Sequence, residues 1–170
     1  LNYVAKNRDT FLENYWLKNK RAVERGKNEA PFAWVIPAAQ RRKVEAADVV
    51  NLFRRQGVEV HRANAAFTAG SLQVAAGDYI LRMDQPYSRI ADALLDYQYW
   101  SPQDPQTNPY DDTGWTFPEA FATTAVRVLD TKVLDVPVEK VTGVISASGG
   151  VTGSGNVFLI NHNADNALAT

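Results

Sequence analysis

No cysteine occurs anywhere in the 170 residues. That absence excludes zinc–thiolate centres, iron–sulfur clusters, thiol nucleophiles and disulfides, whatever fold the chain adopts. It leaves the compartment open, because exported proteins of bacterial type often lack cysteine too. Histidine is scarce as well, with only His61 and His162. No apolar run approaches the roughly 18 residues that a membrane-spanning helix requires. Nor is there an excess of positive charge: 18 Lys and Arg stand against 19 Asp and Glu, for a net charge of −1. That balance argues against a dedicated nucleic-acid or membrane binder. What remains is ordinary globular material, 45% apolar and 22% charged. A chain of this length buries roughly 70% of its unfolded surface and needs no metal to fold.

The hydrophobic pattern organises most of the chain. Residues 9–25 predict a helix, with Phe11, Leu12, Tyr15, Trp16 and Ala22 on its apolar stripe and Gly26 as its stop signal. Phe32 to Ile36 is a continuous apolar run ended by Pro37, as a strand buried on both faces would read. Lys43 to Gln56 places Val44, Ala47, Val50, Leu52 and Phe53 at helical spacing, with Gly57 behind it and Val58-Glu59-Val60-His61 as the next strand. Strand, helix, glycine, strand is a βαβ unit, which predicts a parallel pair with a right-handed crossover. The expected architecture is therefore α/β, with a mixed, partly parallel sheet. An N-terminal helical segment, 1–30, precedes an α/β domain, 31–170. Val126 to Leu129 and Val141 to Ile145 read as further strands, Ser146 to Gly155 as a flexible linker, and Val157-Phe158-Leu159-Ile160 as a short buried strand.

The chain begins without an initiator Met or a signal-peptide pattern, and Ala164 to Thr170 reads as a capped helix broken off early. Both ends lead us to expect a portion of a longer protein.

Met83-Asp84-Gln85-Pro86-Tyr87-Ser88-Arg89 is the stretch that most invites a functional reading. Leu72 to Met83 alternates as a strand pair around Gly77-Asp78, and Tyr87, Ile90, Ala91, Leu94 and Leu95 follow at helical spacing. Pro86 suits the first turn of that helix, with Asp84 or Gln85 at or before its cap. A helix start at a strand exit can present free N–H groups to an anion. Arg89 would add a bidentate contact, and Tyr87 or Trp115 an apolar wall. The Pro-rich loop 101–118 supplies Tyr110, Asp111 and Trp115 as further candidate ligand contacts. Asp111-Asp112, near Asp104, could bind a hard cation or form a glycosidase-like acid pair. Tyr97, Tyr99, Trp100, Tyr110 and Trp115 could stack on a sugar or peptide. The simpler reading of each is structural. Adjacent aspartates form turns, loop aromatics pin a long connection to a core, and Arg89 pairs with a nearby carboxylate.

Several of these stretches together resemble a known family. They are Asn14-Tyr15-Trp16 through Glu24-Arg25-Gly26, Ala30 to Pro37, Leu52 to Arg62, Ala76 to Tyr79, Asp84-Gln85-Pro86-Tyr87 and Tyr110 to Trp115. The series resembles the region downstream of the catalytic domain in large bacterial zinc carboxypeptidases of the carboxypeptidase A type. The resemblance spans most of the chain. It implies an accessory α/β region similar to an incomplete class I glutamine amidotransferase-like, or flavodoxin-like, domain. It also implies an exported, extracytoplasmic parent protein, with other domains of that parent chain as partners.

The catalytic apparatus of that family is not carried over. A zinc carboxypeptidase needs His-x-x-Glu, a second histidine, a substrate-carboxylate arginine and a general-base glutamate. His61 is followed by Arg62-Ala63-Asn64, and His162 gives only His-x-x-Asp with Asp165. Zinc is thus expected only in a catalytic domain outside these residues, with no metal ligand, cofactor or catalytic residue within them. An amidotransferase nucleophile would have to be a cysteine. Gly149 to Gly155 precedes a strand instead of opening a helix, so it is not a phosphate loop, and it lacks the Gly-x-Ser-x-Gly of a serine hydrolase. Two expectations follow: a non-catalytic accessory or interaction domain of a zinc carboxypeptidase-like hydrolase, or an independent small-molecule or carbohydrate-binding α/β module.

Overall fold

A computed structural model describes residues 1–97, 103 and 115–160. Two helices open the chain, α1 (Asn2–Lys6) and α2 (Arg8–Asn28), followed by β1 (Ala33–Ile36), α3 (Lys43–Arg55) and β2 (His61–Ala63). A hairpin of β3 (Phe67–Ala69) and β4 (Leu72–Val74) leads to β5 (Tyr79–Arg82) and α4 (Ser88–Leu95). Then come α5 (Phe117–Ala120), β6 (Val126–Val128), a 3-10 turn over Thr131–Leu134 and β7 (Val138–Lys140). The architecture is mixed α/β.

The main sheet has five strands in the order β6-β1-β5-β2-β7, and each of its pairings is antiparallel. This corrects the expectation of a partly parallel sheet. Strands β1 and β2 do run in the same direction across the helix α3, as a βαβ pattern requires. They are not neighbours, because β5 lies between them and pairs with both. Val58 and Val60 are buried, but they precede the strand, which starts at His61. A flavodoxin-like arrangement rests on parallel neighbours, and this sheet has none among the described residues. The sequence pattern fixes a direction and a crossover length. Which third strand fills the gap is decided by burial: Tyr79, Ile80 and Leu81 are buried on both faces of the sheet.

The sheet separates two cores. On one face α3 and α4 bury Trp34, Ile36, Val50, Phe53, Leu81 and Leu95 together. Phe117 of α5 closes that layer, its ring 5.6 Å from Phe53. On the other face Val35, Ile80, Val128 and Val133 pack with Ala69 and Val74 of the hairpin. Leu72 to Met83 is thus not one strand pair. β4 pairs back to β3 in a separate two-stranded sheet, and the turn at 75–78 redirects the chain into β5. Asp78 is buried there, with its carboxylate accepting from Ala38 N–H and Ala75 N–H, each at 2.9 Å.

Two further expectations change. Gly26 does not stop the first helix, which continues to Asn28. Instead it sits inside α2 against the loop after β5, where a Cβ would lie 1.9 Å from the Met83 carbonyl oxygen. Only glycine lets the helix approach so closely. The run from Val141 to Ile145 is not a strand but a strap across α3. Arg54 donates to the carbonyls of Val141 (3.1 Å), Thr142 (2.6 Å) and Gly143, and the Asn51 amide exchanges two hydrogen bonds with the Ile145 backbone. Residues 157–160 form no strand in the structure and are exposed, with Leu159 at 100%.

Candidate functional site

The segment from Met83 to Arg89 is a junction at which four parts of the chain meet. β5 delivers it from the centre of the sheet, and α4 carries it away over the α3 face. Helix α4 starts at Ser88 with Tyr87 as its N-cap residue, two residues later than the proline placement predicts. Neither Asp84 nor Gln85 caps it. The N–H of Ser88 donates to the Gln85 carbonyl (3.3 Å) and that of Ile90 to the Tyr87 carbonyl (3.1 Å), so this first turn is closed on itself.

Asp84, Gln85 and Tyr87 each have a side-chain partner inside the fold. Asp84 accepts from Arg82 through both oxygens, at 2.9 Å from Nε and 2.6 Å from Nη2. Burial by itself would raise the Asp84 carboxyl, but the hydrogen bonds and charge of Arg82 outweigh it and hold the group below the usual aspartate range. Gln85 is buried, and its amide is fully used. Its carbonyl accepts from Glu59 N–H (2.6 Å), while its NH2 donates to the carbonyls of Glu59 (2.9 Å) and Arg82 (2.6 Å). Gln85 thereby stitches the chain entering β2 to the chain leaving β5, as a backbone ladder would. The Tyr87 hydroxyl lies 2.5 Å from that of Tyr15 on α2. Its ring covers Gly57, whose φ of +82° and 3.3 Å clearance favour a residue without a side chain.

Arg89 is exposed and forms no ion pair among the described residues. It lines a cavity of about 10 Å³, with Arg25, Gly26, Glu29 and Met83, which is room for a single water. Trp115 is 39% exposed, two residues before α5, and α5 lies against α4. Tyr110 and Asp111 lie outside the described residues, as do Tyr99, Trp100, Asp104, Asp112, His162 and Asp165. The rule that places ligands at the carboxyl ends of strands belongs to open parallel sheets. It loses its footing here, because the strands beside β5 run the other way.

Two other places on the molecule have chemistry to weigh. His61 is half buried on β2, and burial together with the Arg82 charge pushes its imidazole below the ordinary range. Arg62, Ala63 and Asn64 follow it, so a zinc does not fit the residues present there. No group of three or more metal-ligating side chains assembles among the described residues. A surface groove of about 620 Å³ runs between the β3–β4 turn and the edge strand β6. Its one carboxylate, Asp130, is held below its ordinary range by the Lys132 and Gly70 N–H groups that it accepts from.

The partners that sequence reasoning missed are Arg82, Glu59, Tyr15 and Gly26. Tyr15 and Gly26 left a trace in the pattern, Tyr15 on the apolar stripe of the helix and Gly26 four residues after the small Ala22 on one helix face. No helix among the described residues is long and apolar enough to cross a membrane. Comparison of the chain with protein-family models, with curated proteins and with solved structures returned no match.

Proposed function

We propose that this chain is a non-catalytic accessory domain of an exported zinc carboxypeptidase-like protein, and that it packs on other domains of the same parent chain. The observation that carries the reading is the exposure of Val157-Phe158-Leu159-Ile160, at 87%, 64%, 100% and 50%. Four consecutive strand-favouring apolar side chains in water forgo roughly 1.5–3 kcal/mol each relative to burial. The Gly- and Ser-rich segment before them gives reach to a surface beyond this domain. The family resemblance of the quoted motifs supports the nature of the parent, whose zinc would be held in its own catalytic domain. The alternative, a small-molecule or carbohydrate site at Asp84–Arg89, is weaker because Asp84 and Gln85 use their polar groups internally.

The test is hydrogen exchange on the full-length parent protein and on this chain alone. Amides of 157–160 should exchange freely in the chain and be protected in the parent, and Leu159→Asp should abolish that protection while the α/β body stays folded. Equal exchange in both proteins, or an open reading frame without His-x-x-Glu upstream of Leu1, would remove the proposal.

A further inference from the structure

The helix α2 is 21 residues, about 31 Å, long, yet Ala22 and Gly26 are its only buried residues. The face that docks through Ala22 and Gly26 continues towards the N-terminus as Tyr15 and Phe11, with Leu12 and Trp16 beside them. These four are 56%, 45%, 65% and 58% exposed. α1 extends the stripe, its Tyr3 ring edge-on to Phe11 at 6.3 Å. The N-terminal part of α2 therefore keeps its apolar stripe largely in water, with Tyr15 touching the body through its hydroxyl contact with Tyr87.

The charges along this face say what covers it. Asp9 and Glu13 precede the apolar group, and Lys20 follows it on the same flank, held against the Trp16 ring at 5.0 Å. Asp9 meets only its chain neighbour Arg8, at 3.3 Å with both side chains exposed, and neither Glu13 nor Lys20 forms an ion pair among the described residues. Asp9 and Lys20 stand about three turns apart. A second α2 laid antiparallel, with its two-fold axis beside Asn14 and Tyr15, brings each Asp9 to the partner's Lys20. It also sets Phe11, Leu12, Tyr15 and Trp16 of both copies within about a turn of that axis. A parallel pairing would set Asp9 on Asp9 and Lys20 on Lys20. We infer that the exposed face of α1–α2 is an antiparallel, two-fold docking surface for a second copy of this chain. Such an interface is isologous, so the Asp9–Lys20 pair forms twice. Its footprint, roughly 30 Å by 10 Å, is well under the ~800 Å² per partner of a standard interface. The dimer is accordingly weak and reversible. This surface is separate from residues 157–160, so the inference stands or falls independently of the accessory role.

Sedimentation equilibrium across the micromolar range tests it. The chain should pass from monomer to dimer with rising concentration, and added salt should weaken the dimer. Asp9→Lys with Glu13→Lys, or Lys20→Glu, should each raise the dissociation constant by about tenfold, because symmetric pairs change sign together. An equimolar mixture of those two variants should recover association as a heterodimer, since one chain then carries only positive charge on the flank and the other only negative. Circular dichroism identical to wild type confirms that these exposed substitutions leave the fold alone. A monomer throughout the range, or a dimer indifferent to both reversals, overturns the inference. So does a monomeric parent protein in which α1–α2 is covered by another of its own domains.

Discussion

The two halves of α2 carry similar apolar stripes and meet opposite fates. In the C-terminal half, Ala22 and Gly26 lie against the loop after β5, so close that Gly26 has no space for a Cβ. In the N-terminal half, Phe11, Leu12, Tyr15 and Trp16 are larger and more apolar, yet they face water. Burial here follows closeness of fit, not hydrophobicity. Small residues let backbones touch, whereas the large ones require a surface that the body of this domain does not offer at that distance. A stripe of large residues is thus a claim on some surface, and the fold decides whose.

The same contrast holds between the body and its projecting parts, and substitutions can break or sharpen it. The largest effect is expected at the centre of the body. Phe53 is fully buried between the sheet and Phe117, so Phe53→Ala should cost ~3–5 kcal/mol, read as a lower denaturant midpoint. A change near zero would mean that α3 is not the helix covering that face. Next comes Gln85→Ala, which strands the backbone groups of Glu59 and Arg82 and should cost about 2–3 kcal/mol. Were the junction a ligand site and not a stitch, this variant would unfold at the wild-type midpoint.

Gly26→Ala should cost about 1–3 kcal/mol as α2 is forced off the Met83 carbonyl. Its signature would be faster proteolysis of residues 1–28 with the sheet intact. Asp84→Asn should show a smaller loss with a specific pH dependence. The Asp84 carboxyl is depressed in the folded state, so its contribution is complete above the unfolded value near 3.8 and disappears as pH falls through the folded value. The difference in thermal midpoint between wild type and variant should therefore be constant above about pH 5 and close below about pH 4. A gap that persisted into acid would show that shape, not the charge on Arg82, is what Asp84 supplies. The smallest effect belongs to Leu12→Ser, within about 0.5 kcal/mol at concentrations where the chain is monomeric. A larger loss would place Leu12 in a core of its own chain.

The sequence by itself determined the local elements: α3 with Gly57 behind it, the strand at Ala33–Ile36, the strand at Val126–Val128 and the helix opening near Tyr87. Each rests on short-range physics, namely periodicity, glycine conformation and the proline that ends an apolar run. It also determined which chemistries are impossible, because a missing cysteine needs no fold to be missing. Only the tertiary structure decided that β5 separates β1 from β2, since strand direction is local but strand adjacency is a competition among all buried strands. Tertiary contacts likewise turned Gly26 from a helix stop into a point of contact between α2 and the loop after β5. Of the candidate site, the identity of the junction was legible, and its chemistry was not. Asp84 and Gln85 read as available for a ligand until Arg82, two residues back, and the Glu59 backbone, twenty-six residues back, are seen to occupy them. The Glu59 backbone is brought near by folding and leaves no period in the sequence, whereas Arg82, two residues before Asp84, is a local partner that the sequence does display.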